Sequence, residues 1–214
     1  IGAYATQLVL KGGGTPVGVV SSPERAELLN AMGCEFVVDR KAEGYQFWSD
    51  ENTQDESEWR RLGKQVRGMI GDDPDIVFEH PGRSTMGASV FITKRGGKIV
   101  TCAATSGYMI EYDNRHLWMK LKSIISSHFA NYQEAWEMNR LIDQGAIVPV
   151  MSDVYDLTHV GDAALKVHRN EAEGKLGVLC LSPEEGMGIT DQAKREVVGE
   201  DRINLFRRMA GTKA

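Results

Sequence analysis

Apolar residues fall in short runs along the chain, separated by polar stretches marked with glycine or proline. Ile1, Ala5, Leu8 and Val9 recur at helical intervals, which predicts a helix from Gly2 to Lys11 that Gly12, Gly13 and Gly14 stop. Pro16 to Ser21 is an apolar, β-branched run of strand length. Ser22 and Pro23 then supply a hydroxyl cap and a first-turn proline for a helix that reaches Met32 and ends at Gly33. Phe36 to Asp39 is a further strand. Arg40 to Trp59 breaks the rhythm: it is polar and acidic, dotted with Tyr45, Phe47, Trp48 and Trp59. It reads as a surface loop with anchoring rings or, because exposed aromatics favour interfaces, as an inter-subunit contact.

The alternation then resumes. A helix is expected over 57–69, a strand over 75–79, a helix over 83–94 and a strand over 98–103. A helix around Leu117, a strand over 123–127 and an amphipathic helix over 131–144 follow, the last with Trp136, Leu141 and Ile142 available for burial. Strands that read as continuous apolar runs are covered on both faces, so the fold class is α/β with a doubly wound parallel sheet. From Val148 the style changes to a strand-like run, a helix over 163–167 and a strand over 175–181. The boundary is set at residue 146: residues 1–146 form a Rossmann-type nucleotide-binding domain, and 147–214 return to finish a second one. Residues after Pro183 are charged and weakly patterned, a surface tail with one helix near 202–209. The chain opens inside a helix, with the first strand and most of a glycine turn missing, and reads as a piece of a longer protein.

Bulk properties narrow the function classes. The net charge is −5 with no basic block, which argues against a nucleic-acid partner. No apolar run approaches the ~20 residues of a membrane helix. Cys34, Cys102 and Cys180 have no CxxC spacing and sit in or beside apolar stretches, so they are expected as buried thiols in a reducing, cytoplasmic setting. The acids Glu51, Asp55 and Glu56 form a solvated run without metal-ligand spacing, and no metal is expected.

The candidate chemistry lies at strand ends. Gly2 opens a helix where the last glycine of a dinucleotide turn would stand, facing a pyrophosphate. After the second strand, an NAD-preferring site carries an acid for the adenosine ribose. Here Ser21 and Ser22 stand there, with Arg25 one helical turn on and Arg40 after the third strand. Hydroxyls with guanidinium groups suit a 2′-phosphate, which points to NADPH. The plainer alternative makes Ser22 a helix cap and both arginines solvated. His80, with Glu79 and Pro81, follows a strand at the end where cofactor sites gather, and lines a nicotinamide pocket or simply forms a turn. Thr101 to Gly107, Thr101 and Ala103 foremost, are placed near the ribose or nicotinamide. His116, His159 and His168 sit in polar surroundings and read as surface residues.

Gly2-Ala3-Tyr4-Ala5-Thr6-Gln7 and VVSSPERAELLNAMG (19–33) resemble medium-chain dehydrogenase/reductases generally. FEHPGR (78–83), TCAATSGYMIEYDNRHLWM (101–119) and SSHFANYQEAWEMNRLI (126–142) are narrower, and are similar to crotonyl-CoA carboxylase/reductases. So are the insertion AEGYQFWSDENTQDESEW (42–59) and the closing GKLGVLCLSPEEGMG (174–188). The resemblance covers almost the whole chain and implies a missing N-terminal half, with residues after 146 completing a GroES-like substrate domain. It implies hydride transfer from NADPH to the β-carbon of crotonyl-CoA or a similar enoyl-CoA, then enolate attack on CO2 to give ethylmalonyl-CoA. It also implies a homo-oligomer, a dimer or tetramer, and an inactive isolated piece. His128 is the residue it carries into the CO2 pocket, where a neutral imidazole could hold an ordered water. Spacing alone favours a buried histidine tying strand to helix at His128, and the resemblance reverses that preference. A non-carboxylating enoyl or quinone reductase is the alternative activity.

Overall fold

A computed structural model describes residues 1–210. It begins with α1 (Gly2–Lys11), β1 (Val17–Val20), α2 (Pro23–Ala31) and β2 (Phe36–Asp39). After the insertion come α3 (Glu56–Ile70), β3 (Ile76–Glu79), α4 (Met86–Ile92), β4 (Lys98–Thr101), α5 (Arg115–Trp118), β5 (Ser123–Ser126) and α6 (Tyr132–Asp143). The remainder is β6 (Met151–Asp156), α7 (Val160–His168), β7 (Lys175–Leu179), α8 (Gln192–Val198), α9 (Glu200–Ile203) and α10 (Leu205–Ala210). By internal contacts the chain separates into two units: 19–22 with 38–129, and 1–18 with 23–37 and everything from Ala130.

The first unit is built on the sheet β3-β4-β5, parallel throughout. Parallel neighbours require crossovers, and α4 and α5 provide them. Helix α4 is short and buried nearly all round, with Met86 and Val90 packed on Ile99 of β4, and Tyr112 and Leu117 closing over that cluster. Helix α3 presents Trp59, Leu62, Gly63 and Val66 as its buried stripe and packs against α4. Its start is fixed by the Asp55 carboxylate, which accepts from the Ser57 N–H at 2.8 Å, and its end by Gly71 in the left-handed region (φ +82°). All four residues of β5 are exposed, against the expectation of a strand covered on both faces. Among the described residues it is an edge strand, paired with β4 alone.

Lys122, just before β5, donates to the carbonyls of Val90 (2.6 Å) and Phe91 (3.1 Å) near the end of α4. Burial pushes this ammonium down to about 8 from 10.5, outweighing the pull of Asp73. Between those pH values the unfolded chain therefore binds more protons than the folded one, so this group adds stability as pH rises through the window. In urea titrations of the full-length protein, wild type should gain stability relative to Lys122→Met across that range. A constant difference would put the ammonium in water.

In the second unit, β6, α7 and β7 form a parallel strand–helix–strand element, with Tyr155 opposite Val178 and a bulge between Met151 and Asp153. The expected surface tail is overturned: Ile189 and Ile203 are fully buried with Met187, and Met151 and Val198 pack against them. Residues 192–210 form three helices where one was expected, α10 lies on β6, and the Phe206 ring occupies the space above Gly174. Helix α1 also departs from its pattern. It buries Thr6 and Gln7, while Ile1, Leu8 and Val9 are exposed. The reason is a polar one: the Gln7 amide donates to the Val148 carbonyl at 3.1 Å and accepts from the Val148 N–H at 2.9 Å, as a neighbouring strand would. Helix α6 begins with an Asn131–Glu134 capping box but buries none of its residues, and Trp136 is 66% exposed.

Candidate functional site

The register of the parallel sheet sets Glu79, Thr101 and Ser126 level across three strands. The residues that follow each strand therefore emerge together at the carboxyl edge: His80 after β3, Cys102 and Ala103 after β4, Ser127 and His128 after β5. Five of the residues singled out in the sequence, Glu79, His80, Thr101, Ala103 and His128, are brought to this one edge. The Ser127 N–H donates to the Thr101 carbonyl at 2.9 Å, extending the pairing one step past β5. Open α/β sheets place ligands at this edge.

Glu79 is 2% exposed, and its carboxylate is spent inside the protein. It accepts from the Gly82 N–H (2.9 Å), the Thr85 hydroxyl (2.7 Å) and the Ser89 hydroxyl. These bonds bend the chain back from the strand end onto α4, leaving only the Glu79 backbone and half-buried His80 at the edge. Gly82 sits at φ +87°, and a Cβ there would lie 2.9 Å from Ala104 Cα, so only glycine lets the two loops touch. Ser106 ties them further: its N–H and hydroxyl both donate to the Pro81 carbonyl (2.8 and 2.7 Å), and its oxygen accepts from the Ser84 N–H (2.9 Å). The turn after β3 and the loop after β4 thus form one tied structure.

His128 is exposed, not the buried strand-to-helix tie that spacing allowed. Its ring lies 3.8 Å from that of Phe129, which holds φ +62°, a conformation rare for an aromatic residue. Half-buried Ser21 and Ser22 follow β1, and exposed Arg40 follows β2; the Arg40 N–H donates to the Val20 carbonyl at 3.0 Å, so these three share one strand-end neighbourhood. Gly2 and Arg25 belong to the other unit, both exposed. Ile1 provides no side-chain cap for α1, its first turn holds no acid, and a Cβ on Gly2 would meet nothing within 4 Å.

Other expectations are corrected. Cys34 is buried beside Pro16 and Phe36, and burial raises its thiol, but Cys102 and Cys180 are exposed. His159 and His168 are exposed as expected, whereas His116 is packed edge-on against Phe91 (4.9 Å) with its Nε2 buried and without a hydrogen bond. Burial holds His116 below its ordinary value, against the opposing pull of Asp113. The donors to Glu79 were missed by the sequence reading, although Gly82, Thr85 and Ser89 follow it at spacings a strand–turn–helix can fold back.

The zinc-binding dehydrogenase family model matches residues 1–144. The chain belongs to that family. A crotonyl-CoA reductase of Streptomyces collinus is 59% identical over 208 residues, 97% of this chain and 46% of that protein. A crotonyl-CoA carboxylase/reductase of Cereibacter sphaeroides is 32% identical over 197 residues, 45% of its length. Among solved structures, the 2-octenoyl-CoA carboxylase reductase CinF, in complex with NADP and 2-octenoyl-CoA, is 45% identical over 97% of this chain and 47% of that one, with a TM-score of 0.86. The chain thus spans about half the length of the relatives it matches.

The family's name raises the question of zinc. Among the described residues, one group of possible ligands converges: Glu56, Asp113 and His116, with ligand atoms within 4.8 Å of one another. Glu56 and His116 border a cavity of about 310 Å³ that Arg60, Arg115, Met119 and Lys120 also line. Arg115 grips Asp113 with bonds of 2.5–3.0 Å and holds that carboxyl down to about 2, while Arg60 pairs with Glu56 at 3.0 Å. Carboxylates neutralised by guanidinium groups do not fit a resident zinc, and no chemistry is routed through one.

Proposed function

We propose that the protein to which this chain belongs is an NADPH-dependent reductase that carboxylates an enoyl-CoA as it reduces it. The observation that carries this reading is the similarity to CinF over 97% of the chain, whose structure holds NADP and 2-octenoyl-CoA. The carboxyl edge of β3-β4-β5 supports it, since His80, Thr101–Ala103 and His128 emerge level there. NADPH, when bound, supplies hydride to the β-carbon of the thioester. This chain's residues then orient and protect. The edge backbone after Glu79 and Thr101 lines the nicotinamide, and the α1 start at Gly2 takes the pyrophosphate. Ser21, Ser22, Arg25 and Arg40 take the 2′-phosphate. The Glu79 carboxylate accepts from three donors inside the protein and is turned away from the enolate, and a carboxylating enzyme must keep proton donors away from that carbon. His128 holds the water that orients CO2. Residues 147–214 finish a substrate domain, and the full protein is a cytoplasmic homo-oligomer.

A second reading has a specific observation behind it: the Streptomyces relatives are named reductases, with no carboxylase in the name. Full-length protein assayed with crotonyl-CoA and NADPH, with and without bicarbonate, separates the two by product mass. A product heavier by CO2 that needs bicarbonate supports carboxylation, and butyryl-CoA in both arms leaves a plain reductase.

Arg25→Glu puts a carboxylate near the proposed 2′-phosphate. It should weaken NADPH by about tenfold or more while leaving NADH nearly unchanged. Equal weakening of both would remove Arg25 from that role.

A further inference from the structure

The insertion at 42–59 is rooted on α3 and packs its far side onto the loops of the carboxyl edge, and this assigns it a task. Its root is fixed to α3: the Tyr45 hydroxyl donates to Gln65 at 2.5 Å, Arg61 stacks 3.7 Å from the Tyr45 ring, and the Gln46 N–H donates to Glu58 at 3.1 Å. Residues 47–55 close on themselves, with Asp55 N–H to Phe47 carbonyl and Ser49 N–H to Thr53 carbonyl, both 2.9 Å, and Trp48 bridging Gln54. The resulting loop is a closed arm.

Its far side reaches the edge. The Arg83 guanidinium lies 4.2 Å from the Trp48 ring and donates to the Glu51 carbonyl at 2.6 Å. The stem of the same arginine packs on Gly107, where a Cβ would stand 3.2 Å from Arg83 Cδ. Gln54 donates to the Glu111 carbonyl at 2.9 Å. One arginine therefore joins three segments: the insertion, the turn that carries His80, and the loop that follows Thr101–Ala103.

We infer that Trp48 and Arg83 are positioning residues that preset the two loops for the nicotinamide end of the cofactor. This rests on the proposed function, because it takes the carboxyl edge as the cofactor's seat. Arginine suits the task where lysine would not: a flat guanidinium can stack on an indole and donate in its own plane at once. The insertion is in this account neither a bare surface loop nor, through Trp48, a subunit contact.

The test uses full-length protein, with NADPH affinity read by direct titration of nicotinamide fluorescence and loop order read by hydrogen exchange. In Arg83→Ala and Trp48→Ala, amides of 82–85 and 104–107 should exchange faster, and NADPH should bind about tenfold more weakly. Saturating kcat should stay within about twofold, because the loops order once the cofactor is in place. Trp48→Phe should restore most of the affinity, and Arg83→Lys should not. Unchanged NADPH affinity in both alanine variants, with protected amides elsewhere showing the fold intact, would overturn the assignment. So would full rescue by Arg83→Lys. Faster exchange in the alanine variants of a protein whose wild type binds no NADPH would leave the clasp standing as structure while sinking both the function and the positioning role.

Discussion

In full-length protein, Glu79→Ala is expected to cost about 3–5 kcal/mol of folding stability, more than any other single polar change at the carboxyl edge. The glutamate is 2% exposed, and its removal leaves the Gly82 N–H and the Thr85 and Ser89 hydroxyls without the acceptor they share. Water would have to enter a space lined by α4 and the turn to replace it. Glu79→Gln should cost about half as much, since one carbonyl oxygen remains but its amide meets a hydroxyl already committed as a donor. Urea titration measures both. A loss below about 1 kcal/mol for Glu79→Ala would mean the three donors find other partners. The same variant should loosen the turn at His80, so its NADPH affinity falls with its stability.

His128→Ala should do the reverse, leaving stability almost unchanged and altering the product. The side chain is exposed, so truncation should shift folding by less than about 0.5 kcal/mol. If the imidazole orients CO2 through water, losing it should lower the ratio of carboxylated to merely reduced product by on the order of 10²-fold, as loss of alignment does in other reactions. In the proposed reaction hydride transfer precedes CO2 capture, so NADPH consumption should fall much less. Mass analysis of products from crotonyl-CoA, NADPH and saturating bicarbonate reads the ratio directly. An unchanged ratio would remove His128 from the CO2 pocket, and a parallel fall in NADPH consumption would place it in the reduction instead. Glu79 and His128 stand at the ends of the two outer strands of one three-stranded sheet, yet one variant should act on the fold and the other on the chemistry.

The alternation of apolar runs was a good guide to order and type: every expected strand and helix exists, with ends displaced by a few residues. Those displacements have causes. The helix expected from Arg83 starts at Met86 because Glu79 draws residues 82–85 into its turn. Strand ends could be read as a candidate site because a parallel register carries them to one edge whatever their side chains are. What polar side chains do in the interior was not legible. Gln7 outranks Leu8 and Val9 for burial because an amide can pair with the Val148 backbone, which periodicity cannot register. Met187, Ile189, Ile203 and Phe206 are too sparse among charged neighbours to form a pattern, yet they build a core. The insertion left two readings open because its partners, Arg83 and Glu111, lie far along the chain.

The unit that joins residues 1–18 to everything from Ala130 has a consequence for how the protein is made. Tyr4 and Gln7 bond to Val150 and Val148 across more than 140 residues, and Ile203 and Phe206 close over segments made well before them. On the ribosome, the unit based on β3-β4-β5 can complete its sheet once Ser127 has emerged. Helix α1 must wait for residues 148–150 before its own bonds can form. During that interval Tyr4 and Gln7 stand without these partners, and a chaperone that engages residues 2–20 would guard the slowest step of assembly.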